Sequence, residues 1–324
     1  FGEKRDYHNL SREEIVSIVR DAGIVGLGGA GFPTFVKLSP KEIDKIDLFL
    51  VNGAECEPYL TSDYRDMMEM PEKLIGGLQV VLSIFPNAKG KICIEDNKPE
   101  AIKLLTEKVK GMDNIEVVAL RTRYPQGGER QLIYAASGRK INSSMLPADA
   151  GVVVDNVDTV VAIYEAVCES KPLVRKILTV TGDAVASPGN FRVPLGTNYQ
   201  QVISAAGGFS EDPEKVISGG PMMGMPLFVL DIPVTKNSSS ILAFKKDPVA
   251  EEATTPCINC GRCVTACPEN LMPTLMMVAS LQKNTERFEK LYGMECIECG
   301  CCSYVCPAKR PLTQGFKQMK RKVG

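Results

Sequence analysis

Cys257-Ile258-Asn259-Cys260-Gly261-Arg262-Cys263-Val264-Thr265-Ala266-Cys267-Pro268 is answered further along by Cys296-Ile297-Glu298-Cys299-Gly300-Cys301-Cys302-Ser303-Tyr304-Val305-Cys306-Pro307. The stretch from Cys257 to Cys306 holds nine of the chain's twelve cysteines, and both runs share one C-x2-C-x2-C-x3-C-P spacing. Three thiolates two residues apart can wrap one cube of iron and sulfide. A fourth, set off by a short helical segment, must reach across to the other cube. The spacing therefore assigns Cys257, Cys260, Cys263 and Cys306 to one 4Fe-4S cluster, and Cys296, Cys299, Cys302 and Cys267 to a second. A tetrahedral zinc ion would leave the third cysteine of each run superfluous. Disulfides would need an oxidising compartment, which nothing else in the chain suggests. Cys301 offers a rival to Cys302; the regular spacing selects Cys302 and leaves Cys301 as a small packing residue.

The rest of the chain has to supply what such clusters lack, since they pass single electrons and bind no organic substrate. With 324 residues there is room for two or three domains, and 44% hydrophobic residues suffice for real cores. A formal net charge of −1 gives no general argument for nucleic acid as a partner. No run of about eighteen apolar residues is present, so no span of a membrane is expected. The start Phe1-Gly2-Glu3-Lys4 reads as a fragment of a longer protein. Thiolate ligands without a secretory signal place the chain in the cytoplasm or on that face of a membrane. The basic tail Lys317, Lys320, Arg321, Lys322 reads as a solvated helix end. His8 reads as a surface residue, and Cys93 and Cys168 as core thiols; Cys56 has no redox role.

Taken in order, Ser11-Arg12-Glu13-Glu14 is a capping box opening a helix that Gly23 stops. Gly26-Leu27-Gly28-Gly29-Ala30-Gly31-Phe32-Pro33-Thr34 follows, a loop whose backbone N–H groups could approach a ligand, though it lacks the Gly-Lys-Ser/Thr ending of a Walker loop. Strands are then expected at 47–52, 91–95, 115–121 and 152–154. Helices are expected at 70–84, 99–110, 129–136 and after Asp155-Asn156. This alternation predicts an α/β layer with a mostly parallel sheet. The loops 52–58, 124–129 and 155–156 would share its carboxyl edge, where such sheets bind ligands. Lys171-Pro172 marks a boundary. Beyond it, strands at 177–181, 191–194 and 227–230 and a helix at 199–206 suggest a small α+β module. Gly219-Gly220-Pro221-Met222-Met223-Gly224 reads as turn chemistry, Ser238-Ser239-Ser240 as a polar flank before the cysteine domain, and Pro273 as the start of the helix between the runs.

Four segments in this order, Gly28-Gly29-Ala30-Gly31-Phe32-Pro33-Thr34, Asn52 to Pro58, Gly128-Glu129 and Val154-Asp155-Asn156-Val157, resemble the NADH-oxidising flavoprotein subunit of respiratory complex I and its relatives. The middle module resembles the ubiquitin-like domain that follows there. Because the chain ends in a two-cluster ferredoxin-like domain, the whole is similar to the C-subunit family of the Rnf complexes, the membrane ferredoxin:NAD oxidoreductases. The resemblance implies a multidomain α/β protein with three parts. These are a Rossmann-like FMN- and NADH-binding domain over 1–170, a ubiquitin-like, soluble-ligand-binding type module over 171–248, and a two-cluster domain over 249–324. It implies that Gly28, Gly29 and Gly31 line non-covalent FMN, with Lys37 as phosphate partner. Asn52, Glu55 and Glu57 would lie near the flavin and nicotinamide, Gly128 and Glu129 would form the helix-start motif, and Asn156 would touch FMN. Leu27, Ala54 and Asp155 depart from the complex I pattern, which has arginine, an acidic residue and a second asparagine there.

A protein of this type exchanges hydride between NAD(H) and FMN and single electrons between FMN and the two clusters; no general acid–base side chain is needed. Its partners would be other Rnf subunits, a cluster-bearing ferredoxin-accepting one and membrane subunits among them, at the cytoplasmic face of the cell membrane and without a span of its own. Two other readings stay open: a non-catalytic cluster-bearing adaptor with a degenerate flavin site, and the NAD-handling subunit of a soluble hydrogenase-like complex.

Overall fold

A computed structural model of the chain describes residues 2–324; Phe1, part of the start read as a fragment, lies outside the described residues. The first body is built on β1 (Leu48–Gly53), β2 (Lys89–Glu95), β3 (Ile115–Leu120) and β4 (Val152–Asn156), all parallel, in the order β3-β2-β1-β4. The run Leu48-Phe49-Leu50-Val51 is buried throughout because both sheet faces are covered, as parallel sheets require. Phe49, Val51, Ile92 and Ile94 face the core shared with the helices Arg12–Asp21, Pro71–Ile84 and Val157–Glu169. Leu48, Leu50, Cys93 and Val154 face the opposite core, closed by Leu132 and Ile133 of the helix Glu129–Ser137. The chain leaves β1 to one side for β2 and β3, then returns to the other side for β4. That reversal opens a crevice between β1 and β4, and the register sets Asn52 beside Asn156 at its mouth.

The capping box at Ser11 forms as expected, with Glu14 N donating to Ser11 Oγ at 3.3 Å and Ser11 N to Glu14 Oε2 at 2.7 Å. One helix, Ser62–Glu69, is absent from the sequence reading. Its first N–H groups are capped by Glu55, eight residues before Asp63 at the far end of the connecting loop rather than at the usual cap position, so no N-cap signal announces it. His8 is exposed, and Cys93 and Cys168 are buried, as expected.

The second body is a five-stranded sheet in the order β6-β5-β9-β7-β8, formed by β5 (Arg175–Thr181), β6 (Gly189–Pro194), β7 (Lys215–Ser218), β8 (Met225–Pro226) and β9 (Ser240–Phe244). Its core is closed by the helix Tyr199–Ala205. Two expectations fail here. Residues 227–230 form no strand, and Phe228 there is 99% exposed. Ser240 is no flank: it starts the central strand, paired with β5 on one side and β7 on the other. Ser238 is buried because its hydroxyl accepts from Tyr199 OH at 2.9 Å. Buried hydroxyls with a tertiary partner cannot be told from solvated ones in a serine run.

The third body is helical. Pro273–Leu281, Thr285–Lys290 and Leu312–Val323 enclose a core of Met276, Met277, Phe288, Phe316 and Met319, with the two cysteine runs folded around it. Lys320, read as part of a solvated helix end, instead donates to Cys296 O at 2.7 Å and meets Glu298 at 3.1 Å. No helix among the described residues is long and apolar enough to cross a membrane.

The helices Pro71–Ile84 and Val157–Glu169 touch through backbone. A Cβ on Gly77 would lie 2.2 Å from the Val160 carbonyl oxygen, whereas one on Gly76 would meet the Tyr164 ring at 2.6 Å. Main chain cannot yield as a half-buried ring can. Gly77→Ala is expected to cost about 1–3 kcal/mol despite its better helix propensity. Gly76→Ala is expected to lower the denaturation midpoint less; the reverse order would contradict this packing.

Candidate functional site

The glycine loop sits over the β1/β4 crevice. Leu27 N donates to Thr159 Oγ1 at 2.9 Å, fixing the loop to the helix that follows β4. A Cβ on Gly28 would come within 3.2 Å of the Asn156 side chain, while Gly29, at φ +107°, has open space around it. Gly31 faces the second body instead, where a Cβ would strike Asn237. Asn156 accepts from Asp158 N at 3.0 Å as helix cap and donates to Asp63 Oδ2 at 2.7 Å. Asn52 donates to Gly127 O at 2.9 Å, which ties β1 to the loop before the helix that Glu129 opens. Lys37 reaches into this edge, donating to Val154 O at 2.7 Å and lying 3.4 Å from Asp155 and 4.0 Å from Glu129.

Asp155 is 1% exposed; its Oδ1 meets only the Lys37 ammonium, at 3.4 Å, and its Oδ2 has no hydrogen-bond partner. Burial pushes its carboxyl up to about 6, and the Lys37 ammonium opposes that rise. Thr34 Oγ1 at the end of the glycine loop is likewise buried and unpartnered. Orphaned acceptors beside a sterically open glycine turn fit a ligand carrying hydroxyl and N–H donors, as FMN does.

Beyond β1 the chain turns through Glu55 at φ +48°, a strained position for a residue with a side chain. Its carboxylate accepts from Asp63 N at 2.7 Å and Tyr64 N at 3.2 Å. Burial, and then the Asp63 carboxylate, push Glu55 up to about 8. Glu57 accepts from Met222 N at 3.1 Å and Met223 N at 2.9 Å, in the glycine-rich loop of the second body; burial raises its pKa. Glu55 and Glu57 line a cleft of about 490 Å³ together with Tyr64, Lys98, Arg123 and Tyr124. Lys98 is anchored on Ala54 O at 2.8 Å, so a cationic group stands within the cleft wall. The glycine loop, Lys37, Asn52, Gly128, Glu129 and Asn156 do not line this cleft; they gather at the neighbouring β1/β4 crevice.

From the cleft, the Tyr124 hydroxyl donates to Cys299 O at 2.7 Å. Behind Cys299 lies a cavity whose walls include Cys267, Cys296, Cys299 and Cys302. Cys301 also lines it, beside Cys299, so it is not purely a packing residue. A second cavity is walled by Cys257, Cys260, Cys263 and Cys306. Each cavity thus combines one cysteine of one run with the first three of the regular spacing of the other, Cys301 adding a fourth from the second run to the first cavity. A soft thiolate set around a closed space suits iron–sulfur chemistry. Arg130, at 2.8 Å from Glu295, and Ser143, whose N donates to Glu295 at 2.9 Å, hold the third body against the first.

The sequence reading placed Tyr124 in the 124–129 edge loop without giving its side chain a role, and read the loop that holds the Met222–Met223 peptide as turn chemistry only. Lys98 and Arg123 were missed and carry no signal without the fold.

Comparison with known proteins agrees with this anatomy. The Nuo51 FMN-binding domain matches residues 19–165, the SLBB domain residues 177–226 and the 4Fe-4S dicluster domain residues 256–309. By class, then, this is an electron-transfer flavoprotein with iron–sulfur clusters. The chain is 44% identical over 98% of its length to the C-subunit of the proton-translocating ferredoxin:NAD(+) oxidoreductase complex of Clostridium ljungdahlii, covering 69% of that protein. It is 45% identical over 97% of its length to the Na(+)-translocating counterpart of Acetobacterium woodii, covering 71% of it. The C-subunit of the ion-translocating oxidoreductase complex of Rhodobacter capsulatus is 40% identical, with 97% of this chain and 61% of that one covered. The chain belongs to the C-subunit family of ion-translocating ferredoxin:NAD(+) oxidoreductase complexes. Its fold is also that of an NAD+-reducing NiFe hydrogenase in the H2-reduced state, with a TM-score of 0.65 at 19% identity over 98% of this chain and 61% of that one.

The Glu55 carboxyl makes a pH prediction. Its folded value is raised from 4.5 to about 8, so the folded chain keeps a proton that the unfolded chain releases. That contribution to stability is complete below 4.5 and fades as pH rises through about 8. Glu55→Gln, which keeps an acceptor for both N–H groups, is expected to reduce the fall of the melting temperature across that window. An unchanged slope would take Glu55 out of the account.

Proposed function

We infer that this chain is the NAD(H)- and flavin-handling subunit of an ion-translocating ferredoxin:NAD oxidoreductase complex, with boundaries near 170/171 and 248/249. The observation that carries the reading is a chain of contacts: Gly28 lies against Asn156, Asn156 donates to Asp63, Asp63 N donates to Glu55 in the cleft wall, and Tyr124 of the same cleft donates to Cys299 at the cysteine cavity. The separate cores of the three bodies support the boundaries. When bound, FMN supplies the conversion between two-electron and one-electron chemistry, and 4Fe-4S clusters carry single electrons.

The chain's own residues bind, orient and shield. Backbone N–H groups at Gly28 and Gly29 would receive the flavin phosphate, with Lys37 nearby as its cation. Asn52 and Asn156 flank the crevice and would hold the flavin between them. Gly31 closes the loop on the second body, while Gly128 and Glu129 open the helix whose N-terminus faces the same edge. Glu55 and Glu57 wall the cleft where the dinucleotide enters, with Lys98 and Arg123 available to its phosphates. Cys257, Cys260, Cys263 and Cys306 hold one cluster; Cys267, Cys296, Cys299 and Cys302 hold the other. The partners are the remaining subunits of the complex, a ferredoxin-accepting iron–sulfur subunit and membrane subunits, at the cytoplasmic face of the cell membrane.

The test is anaerobic purification followed by flavin and iron analysis. One FMN and roughly eight irons per chain are expected, with NADH-dependent reduction of a dye. Gly28→Val pushes a branched side chain into Asn156 and is expected to weaken FMN binding at least tenfold while iron content stays. Clusters without flavin and without dye reduction would leave an adaptor instead; unchanged flavin in the variant would move the flavin away from this loop.

A further inference from the structure

The two cysteine runs are equivalent in backbone as well as sequence. Asn259 and Glu298 both take positive φ, at 55° and 61°, as do Gly261 and Gly300, at 75° and 84°. Short helices Arg262–Thr265 and Cys301–Tyr304 follow in each. The surroundings of the two runs differ. In the second run, Cys299 O accepts from Tyr124 OH, and a Cβ on Gly300 would lie 2.8 Å from Met222 O. Ile297 is half-buried and Cys299 buried, so the first and second bodies cover this face. In the first run, the equivalent Gly261 has nothing within 4 Å, Cys257 and Cys260 are exposed, and Ile258 is 68% exposed. The chain covers one of two like faces and leaves its twin open.

That open face has the composition of a docking surface. Leu275, Val278 and Leu281 stand three residues apart on one helix and are all exposed, Leu281 by 63%. Leu275 and Val278 line, with Ile258, the cavity walled by Cys257, Cys260, Cys263 and Cys306, and Leu281 carries the exposed apolar stripe one turn further along the helix. No carboxylate lines that cavity, but Arg310 does. Arg262, Lys283 and Arg310 have no carboxylate partner among the described residues, whereas Glu269, Glu295 and Glu298 near the covered face are paired with Arg130 and Lys320. An apolar centre with a basic rim is complementary to a partner of opposite charge.

We propose that the face formed by Ile258, Leu275, Val278 and Leu281, rimmed by Arg262 and Lys283, docks a separate one-electron carrier protein that presents an acidic surface around its own redox centre. Exposed Cys257 and Cys260 bring one cluster site to this surface, and a site that passes single electrons outward here needs a one-electron centre brought to the same face. The proposal rests on the electron-transfer reading above and adds to it the surface, the charge and the kind of partner.

The experiment uses the assembled complex in membranes. Leu281→p-benzoylphenylalanine, irradiated, is expected to capture a polypeptide that carries its own flavin or iron. Lys283→Glu is expected to weaken that capture and to slow electron flow from reduced ferredoxin to NAD+ several-fold. NADH–dye reduction and iron content should stay at the parent level, since Lys283 lies outside both cysteine runs and lines neither the cysteine cavities nor the cleft. Capture of a second copy of this chain, capture of a polypeptide without a redox centre, no capture, or unchanged flow in the charge-reversed variant would each overturn the proposal. A parent chain without flavin or dye reduction would instead overturn the function on which it rests.

Discussion

The Glu57 carboxylate joins all three bodies of the molecule. It leaves the first sheet and accepts from two consecutive N–H groups, Met222 and Met223, in the second body, while the Met222 carbonyl lies against Gly300 of the third. Hydrogen bonds to a charged acceptor contribute roughly 1.5–3 kcal/mol each. Here their value lies as much in geometry as in energy. A Cβ on Gly220 would sit 2.2 Å from Glu57 Oε2, and one on Gly224 would sit 2.4 Å from Gly220 O, so the loop can close on the carboxylate only without side chains. Electron transfer between a flavin and a cluster demands fixed separation. A half-buried carboxylate held by backbone supplies that fixity where flexible side chains would not.

Charge behind the cleft follows a related logic. Lys176 is 4% exposed and donates to Asp158 at 2.5 Å, with Asp63, Asp66 and Glu55 close by. The Lys176 ammonium, with Lys98 further out, faces this cluster of carboxylates, and burial still raises Glu55, Asp63 and Asp66 toward their protonated forms. Burial, with the Asp158 and Asp63 carboxylates, pushes Asp66 up to about 9, and one of its oxygens has no partner at all. Neutral carboxyls cost less to bury than ionised ones. The cluster can therefore hold Asn156 through Asp63 and cap the helix Ser62–Glu69 through Glu55 without placing a large negative potential beside the flavin crevice.

Much of the site was legible because it is made of short segments whose residue types are constrained. The parallel strands appear within two residues of their expected bounds, since fully buried runs such as Leu48-Phe49-Leu50-Val51 are continuous and flanked by breakers. Asn52, Lys37, Glu129 and Asn156 do gather at one sheet edge. The misses share one cause. The helix Ser62–Glu69 is capped by Glu55 from the far end of its own lead-in loop, Ser238 before β9 finds a buried partner in Tyr199, and Phe228 and Val229 are apolar residues that the fold leaves outside. None of these follows from periodicity, which registers neither a distant cap nor the burial that tertiary packing imposes.

By itself, then, the sequence determined the order of the bodies, the parallel sheet and the grouping of eight cysteines, because ligand number and spacing are local covalent constraints. Only the tertiary structure decided which cluster cavity faces the flavin domain and which stays open. The two runs are nearly equivalent as sequence. Their difference arises from what packs on them: Tyr124 and the Met222 carbonyl close one, and nothing in the described chain closes the other. The opening stretch is a symmetric pair, and the fold breaks that symmetry into an inward end and an outward end.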